Sequence, residues 1–157
     1  LSVSDPFAAA LRLLTVRDRS EAELGERLRL KGHDEEAIAS VLERCRRLGY
    51  LDDRRFARER ARSLLRQGRA VGRRLLDDLR RHGIVEGEAR DAAAEAEDEF
   101  TREEVLAALA ERRFPSFDYR QADDRQRQRV VNYFLRRGFA LSQVLTFFKE
   151  ERSRESP

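Results

Sequence analysis

The sequence predicts an all-α protein built from three tandem three-helix repeats, and three observations carry that prediction. First, Gly32, Gly83 and Gly138 close three similar helical patterns, 51 and 55 residues apart, a period that belongs to repeat architectures. Four residues before each glycine stand Leu28, Leu79 and Phe134, and eight before stand Leu24, Leu75 and Val130. Six residues after come Ile38, Ala89 and Val144, and nine after come Val41, Ala92 and Phe147. Second, Lys31, His82 and Arg137 directly precede the glycines. A cation in the last turn followed by a left-handed glycine is a helix ending. Third, no segment alternates apolar and polar residues for more than a few positions, and Pro6, Pro115 and Pro157 all lie outside the helical patterns.

Composition agrees with a thin, surface-rich molecule. Hydrophobic residues make up 40% of the 157-residue chain and charged residues another 40%, well above the usual quarter. An elongated array buries less of its chain than one compact domain of equal length. Its radius of gyration should therefore exceed the roughly 15 Å of a compact chain this long. The regular spacing of Leu, Val, Ile and Phe argues against disorder.

Each element has its own signal. Asp5-Pro6 opens a helix carrying Phe7, Ala10, Leu11 and Leu14 on one face, with Pro at the first helical position. Ser20 and Glu23 read as a capping box that starts a second helix, running to Gly32. Asp34 caps a third, whose apolar face is Ile38, Val41, Leu42, Cys45 and Leu48, and Gly49 ends it. The first repeat thus spans 5–49. The second, 50–98, opens at the cap Asp52 and carries Phe56, Ala57, Ala61, Leu64 and Leu65 to Gly68. Its next helix holds Leu75, Leu76 and Leu79 before Gly83-Ile84, where Ile84 should pack back onto the helix. Its third helix, 86–98, is mostly alanine and acid, so it should pack by close approach. The third repeat, 99–152, starts with a second expected box, Thr101 and Glu104, and whether that helix separates from the preceding one is open from sequence alone. The run 114–119 is a turn-rich connection expected to cover a repeat interface. Asp123 then caps a helix with Gln126 at its third position and Val130, Val131 and Phe134 inward, and the last helix turns Val144, Leu145, Phe147 and Phe148 to the core. Residues 152–157 read as a frayed tail.

Charge is segregated along the chain. The net formal charge is only +3, yet residues 44–81 carry fourteen Arg against five acids, while 86–104 carry nine acids against Arg90 and Arg102. Lys31 and Lys149 are the only lysines, so the positive charge is almost all guanidinium, which can fork onto carboxylates or phosphates.

Leu11 to Leu14, then Arg19-Ser20-Glu21-Ala22-Glu23-Leu24 and Lys31-Gly32, are the first of several strings that in order resemble a known family, the RecX regulators of the bacterial recombinase RecA, and these resemble its opening. Leu48-Gly49-Tyr50-Leu51-Asp52-Asp53 with Phe56-Ala57 resembles its most characteristic stretch, with Asp52 where Asn is frequent. Residues 72–84 and Arg136-Arg137-Gly138-Phe139 fit as well, and the resemblance covers about 8–148. It implies a curved array of three three-helix repeats. It also implies a non-catalytic role in recombination, DNA repair and the SOS response. Such proteins lie in the groove of the RecA–DNA filament, hinder its growth, and suppress ATP hydrolysis, strand exchange and co-protease activity; some bind DNA.

The expected docking residues are Arg54, Arg55, Arg58, Arg62, Arg66, Arg69, Arg73, Arg74, Arg80 and Arg81. Arg54, Arg58 and Arg62 recur four apart, away from the apolar face. Arg55, Arg62, Arg66 and Arg69 make a second stripe. Arg73 and Arg80 flank the Leu75, Leu76, Leu79 face, and Arg74 and Arg81 point outward. Charge this dense repels itself unless a partner compensates. The alternative is a solvated face neutralised in part by Asp77, Asp78 and the acidic helix. The expected partner is the RecA filament, with single- or double-stranded DNA as a second candidate, and the protein is expected to be a monomer. A stand-alone DNA-binding module is the rival reading, although the stacking aromatics it needs are scarce. Phe56 reads as core, and Tyr50 is assigned a packing role after Gly49.

Enzyme readings find little footing. His33 and His82 share no ligand spacing, Cys45 sits on an apolar stripe, and Asp52-Asp53 and Asp77-Asp78 are adjacent pairs that point apart on a helix. No cofactor or metal is expected, and with no Gly-rich phosphate loop in the sequence ATP binding is not expected either. The lone cysteine fits a reducing cytoplasm, and no apolar run is long enough to span a membrane.

Overall fold

A computed structural model of the chain describes residues 5–150, and these form nine helices and no strand. The tail expected at 152–157 lies outside the described residues. The helices are α1 (Pro6–Val16), α2 (Glu21–Leu30), α3 (Glu35–Arg47), α4 (Asp53–Arg66), α5 (Gly72–Arg81), α6 (Glu86–Glu99), α7 (Arg102–Arg113), α8 (Asp124–Arg136) and α9 (Leu141–Glu150).

Side-chain caps set most of the starts. Asp5, Ser20, Asp34, Thr101 and Asp123 each accept the backbone N–H three residues on. Asp52 does the same for Arg55 at 3.0 Å. Each such cap contributes about 1 kcal/mol. Only Asp123 and Gln126 complete a reciprocal box. The boxes expected at Ser20–Glu23 and Thr101–Glu104 are half formed. Glu23 turns instead to Arg17, 2.6 Å away, because a guanidinium is a stronger partner for a carboxylate than a neutral N–H. The extended backbone of Thr101, at ψ 153°, separates α7 from α6.

The glycine caps are Schellman endings. At Gly32, Gly83 and Gly138 φ is +93°, +78° and +104°. The N–H one residue later reaches back to the carbonyl of Leu28, Leu79 or Phe134 at 3.1–3.3 Å. Gly49 and Gly68 repeat the motif at the ends of α3 and α4. Of the twelve apolar positions counted from the three glycines, eleven are buried. The exception is Phe147, which is half-buried, as is Leu145; Phe148 takes the core position instead. Tyr50 also departs from expectation. It is 47% exposed, because the Schellman turn at Gly49 swings the chain outward and buries Leu51 instead.

The described residues belong to two compact units. The first joins the chain up to Arg60 with Leu79–Ala92, and the second joins Ala61–Asp78 with the chain from Ala93 onward. Helices α4, α5 and α6 each give one part to either unit. The first unit packs Ala9, Ala10, Leu24, Leu28, Ile38, Val41, Cys45 and Leu51 with Phe7, Leu13, Leu14 and Leu42. The start of α2 closes on the α5–α6 turn: Ser20 Oγ donates to the His82 carbonyl at 2.5 Å, and a Cβ on Gly83 would strike Ala22. The second unit is built round Phe134. Rings of Phe114, Tyr133, Phe139 and Phe148 sit 5.4–5.9 Å from it, and Phe117 adds to Phe148 at 5.3 Å. In α6 the buried face is Ala89, Ala92, Ala93 and Ala96, the close approach expected of an alanine helix.

Candidate docking surface

The expected arginines divide between the units. Arg54, Arg55, Arg58, Arg80 and Arg81 fall in the first, and Arg62, Arg66, Arg69, Arg73 and Arg74 in the second. All are exposed except Arg62, which is half-buried. Arg80 and Arg62 are already neutralised. Arg80 forks onto Glu86 at 2.7 and 2.8 Å, and Arg62 meets Glu99 at 2.9 Å. Both acids come from α6, so that helix partly neutralises the cluster. Arg55 donates to the Gly49 carbonyl at 3.3 Å.

Ion pairs are frequent in the first unit. Arg17 pairs with Glu23, Arg29 with Glu26 and Glu35, Arg46 with Glu21 and Glu43, and Arg90 with Glu86. The Arg80 and Arg90 guanidiniums hold the Glu86 carboxyl down to about 2.

The second unit contains a corner where arginines gather without such pairs. It is organised by the turn over 67–71, and backbone bonds bring three helix ends to it. Val71 N–H donates to the Arg137 carbonyl at 2.8 Å. Arg112 donates to the Gln67 carbonyl at 3.0 Å. Gly68 lies so close to Leu109, at 2.5 Å from an added Cβ, that no side chain fits there. The close packing of Gly138 on Val71 and Arg74 locks the end of α8 to the start of α5. Arg69, Arg73, Arg74, Arg112, Arg113, Arg136 and Arg137 therefore gather round one turn, and none makes an ion pair among the described residues. Burial, followed by the nearby Arg136 and Arg113, lowers the pKa of Arg137. Its guanidinium lies 3.4 Å from the centroid of the Tyr133 ring, a cation–π contact that offsets part of the crowding.

Arginine at a helix C-terminus favours the dipole, which accounts for Arg112, Arg113 and Arg136 locally. Arg73 and Arg74 have no such excuse. They stand in the first turn of α5, against the dipole and with no acid of α5 in that turn, although Glu97 of α6 accepts the Gly72 N–H at 2.9 Å. Sequence reading found Arg69, Arg73 and Arg74 but missed the four from α7 and α8, which are about 40 to 65 residues away along the chain. The available signal was the basic residue before each closing glycine, of which Arg137 is one.

Among the described residues no three His, Cys, Asp or Glu side chains lie where they could hold a metal ion. Cys45 is fully buried, and burial pushes its thiol pKa up, away from the reactive thiolate. Among the same residues no helix is long and apolar enough to cross a membrane.

Comparison with known proteins then places the chain. Residues 7–45 match the model of the first three-helix domain of RecX, and residues 101–148 match that of the third. The chain is 52% identical, over 95% of its length and 97% of theirs, to the regulatory protein RecX of Syntrophotalea carbinolica. It is 36% identical to that of Trichlorobacter lovleyi over 94% of this chain and 96% of the other. The crystal structure of RecX from Lactobacillus salivarius superposes with a TM-score of 0.75 at 22% identity, covering 96% of this chain and 97% of that one. The all-α tandem helical repeat and the end-to-end identity lead to one conclusion: this chain belongs to the RecX family of regulatory proteins.

Proposed function

We propose that this protein inhibits the RecA recombinase by lying in the groove of the RecA–DNA filament. There it hinders filament extension and suppresses ATP hydrolysis, strand exchange and co-protease activity. The observation that carries this reading is the 52% identity with a named RecX regulator along nearly the whole of both chains. The repeats 5–49, 50–98 and 99–152 act as successive docking modules of a cytoplasmic, monomeric, non-catalytic protein. Contact at several points raises effective concentration without any single strong contact.

Charge supports the same reading. Arg54, Arg55, Arg58, Arg62, Arg66, Arg69, Arg73, Arg74, Arg80 and Arg81 supply the docking charge, reinforced at the corner by Arg112, Arg113, Arg136 and Arg137. Inhibition requires tighter binding to one filament state than to another, or occlusion of the growing end.

The test is the DNA-stimulated RecA ATPase with and without this protein. Reversing Arg58, Arg62 and Arg66 together to Glu should abolish inhibition while helicity and melting persist. Full inhibition by that folded variant would refute the docking role of α4. The unpaired corner also favours a second reading, a stand-alone DNA-binding module. Binding to naked single-stranded DNA and to filament across a salt series separates the two. A slope of about −0.9 in log K per phosphate on naked DNA, with no preference for filament, is the signature of the second.

A further inference from the structure

Between α7 and α9 the second unit carries an open groove of about 570 Å³. Leu106, Ala107 and Phe147 supply its apolar part, and Glu103, Glu104 and Glu150 stand among its lining residues. None of the three carboxylates makes an ion pair among the described residues; Glu103 only accepts a 3.4 Å bond from Gln143. The repeat itself marks this place as unusual. The position nine residues after the closing glycine is buried in the other two repeats, as Val41 and Ala92 at 5% exposure. In the third it is Phe147, half-buried in the groove wall, while its neighbour Phe148 fills the core.

A large ring left in an open groove costs solvation that a smaller or polar residue would avoid. Glu103 and Glu104 gain from the N-terminal dipole of α7, but with Glu150 they make three carboxylates without an ion pair among the described residues, which adds mutual repulsion. Both costs vanish if something apolar and cationic covers the groove. We infer that the α7–α9 groove docks a basic amphipathic helix of the recombinase protomer, with one apolar side chain against Phe147 and Lys or Arg residues one turn to either side against Glu103, Glu104 and Glu150. The two walls are helices of twelve and ten residues, about 18 and 15 Å long, long enough to flank two to three turns of a third helix. Laying an apolar helix face into such a groove is a recurrent mode of recognition. The charge is opposite to that of the arginine corner in the same unit. One partner surface of mixed charge can therefore be gripped at two places, and a purely polyanionic ligand cannot.

This inference rests on the proposed recombinase partnership, and the experiment keeps the two apart. Binding of the full chain to RecA filament on single-stranded DNA, and to the same DNA alone, is measured for wild type, Phe147→Ser and the double variant Glu103→Lys/Glu150→Lys. The charge variant changes only exposed side chains, so it guards against a folding defect in Phe147→Ser. Each variant is expected to lose at least tenfold in filament affinity, with binding to bare DNA unchanged or, for the lysine variant, tighter. If wild type binds filament and the folded charge variant binds it equally well, the groove has another occupant or none and the inference is wrong. If wild type does not bind filament at all, the partnership itself fails. Loss of self-association by the variants in sedimentation, with filament binding intact, would assign the groove to a second copy and likewise overturn it.

Discussion

One face of the first unit and one corner of the second treat arginine in opposite ways, although the second unit has ion pairs of its own at Arg62, Arg102 and Arg127. In the first, Arg17, Arg29, Arg46, Arg80 and Arg90 are each held by glutamate. At the corner of the second, Arg73, Arg74, Arg112, Arg113, Arg136 and Arg137 gather without forming an ion pair among the described residues. The difference teaches where to look for a partner. Paired surface charges contribute little to either stability or binding, whereas unpaired like charges held together by packing retain their full attraction for an opposite charge outside. A count of arginines along the chain cannot make that distinction.

The sharpest way to break this comparison is to exchange charge in both units. Arg74→Glu with Arg136→Glu should weaken filament binding about a hundredfold, at roughly tenfold per uncompensated charge. Arg29→Ala with Arg46→Ala in the first unit should leave it within about twofold, since glutamates already neutralise those guanidiniums. Equal losses from the two pairs would show that ion pairing does not separate docking from structural arginines.

The glycine caps give a contrast in stability. Gly138→Ala places a Cβ onto the Val71 carbonyl at φ +104°. It should cost about 3–5 kcal/mol in urea unfolding, by adding overpacking to left-handed strain. Gly32→Ala, at φ +93° with nothing within 4 Å, should cost only the strain, about 1–2 kcal/mol. Similar values at the two sites would mean that the corner yields to the intruding methyl.

A smaller difference is expected at the helix caps. Ser20 is fully buried, caps Glu23 at 3.2 Å and donates to the His82 carbonyl. Ser20→Ala should therefore cost about 2–3 kcal/mol, because a second buried group loses its partner. Thr101 in the second unit only caps Glu104, and Thr101→Ala should cost about 1 kcal/mol. Chemical denaturation of both variants checks the ordering.

The least effect concerns pH. The Glu86 carboxyl is held down to about 2 by Arg80 and Arg90. Its contribution to stability is thus complete above the ordinary glutamate value of about 4.3 and is lost as pH falls through the folded value. Melting temperatures of wild type and Glu86→Gln should differ slightly in favour of wild type at pH 7 and converge towards pH 2. A difference that persisted at pH 2 would mean that Glu86 contributes through something other than its charge.

What could be read from residues alone was whatever a few neighbouring residues decide. The caps at Asp5, Asp34, Asp52 and Asp123 and the left-handed endings at Gly32, Gly83 and Gly138 depend on a side chain or a missing Cβ within one turn. The spacing of the glycines therefore delivered the helices, their number and the burial of nearly every register position. Even there, competition with distant groups limited the reading. Glu23 was legible as a box partner until Arg17 took it, and Phe147 was legible as core until Phe148 filled the space.

The candidate docking surface was legible only in part. Arg69, Arg73 and Arg74 lie in the basic stretch that charge counting singled out, and Arg62 and Arg80 lie there too, although α6 neutralises both. Which arginines keep their charge unanswered depends on which helix ends meet at the turn over 67–71. The same is true of the groove between α7 and α9, whose walls begin about forty residues apart in the chain. By itself the sequence determined helices, caps and family, because hydrogen bonding within a turn and hydrophobic periodicity are local. Tertiary structure alone decided which charges are paired and which aromatic ring is left half-buried in a groove wall, because Coulomb attraction and packing act between residues that only folding brings together.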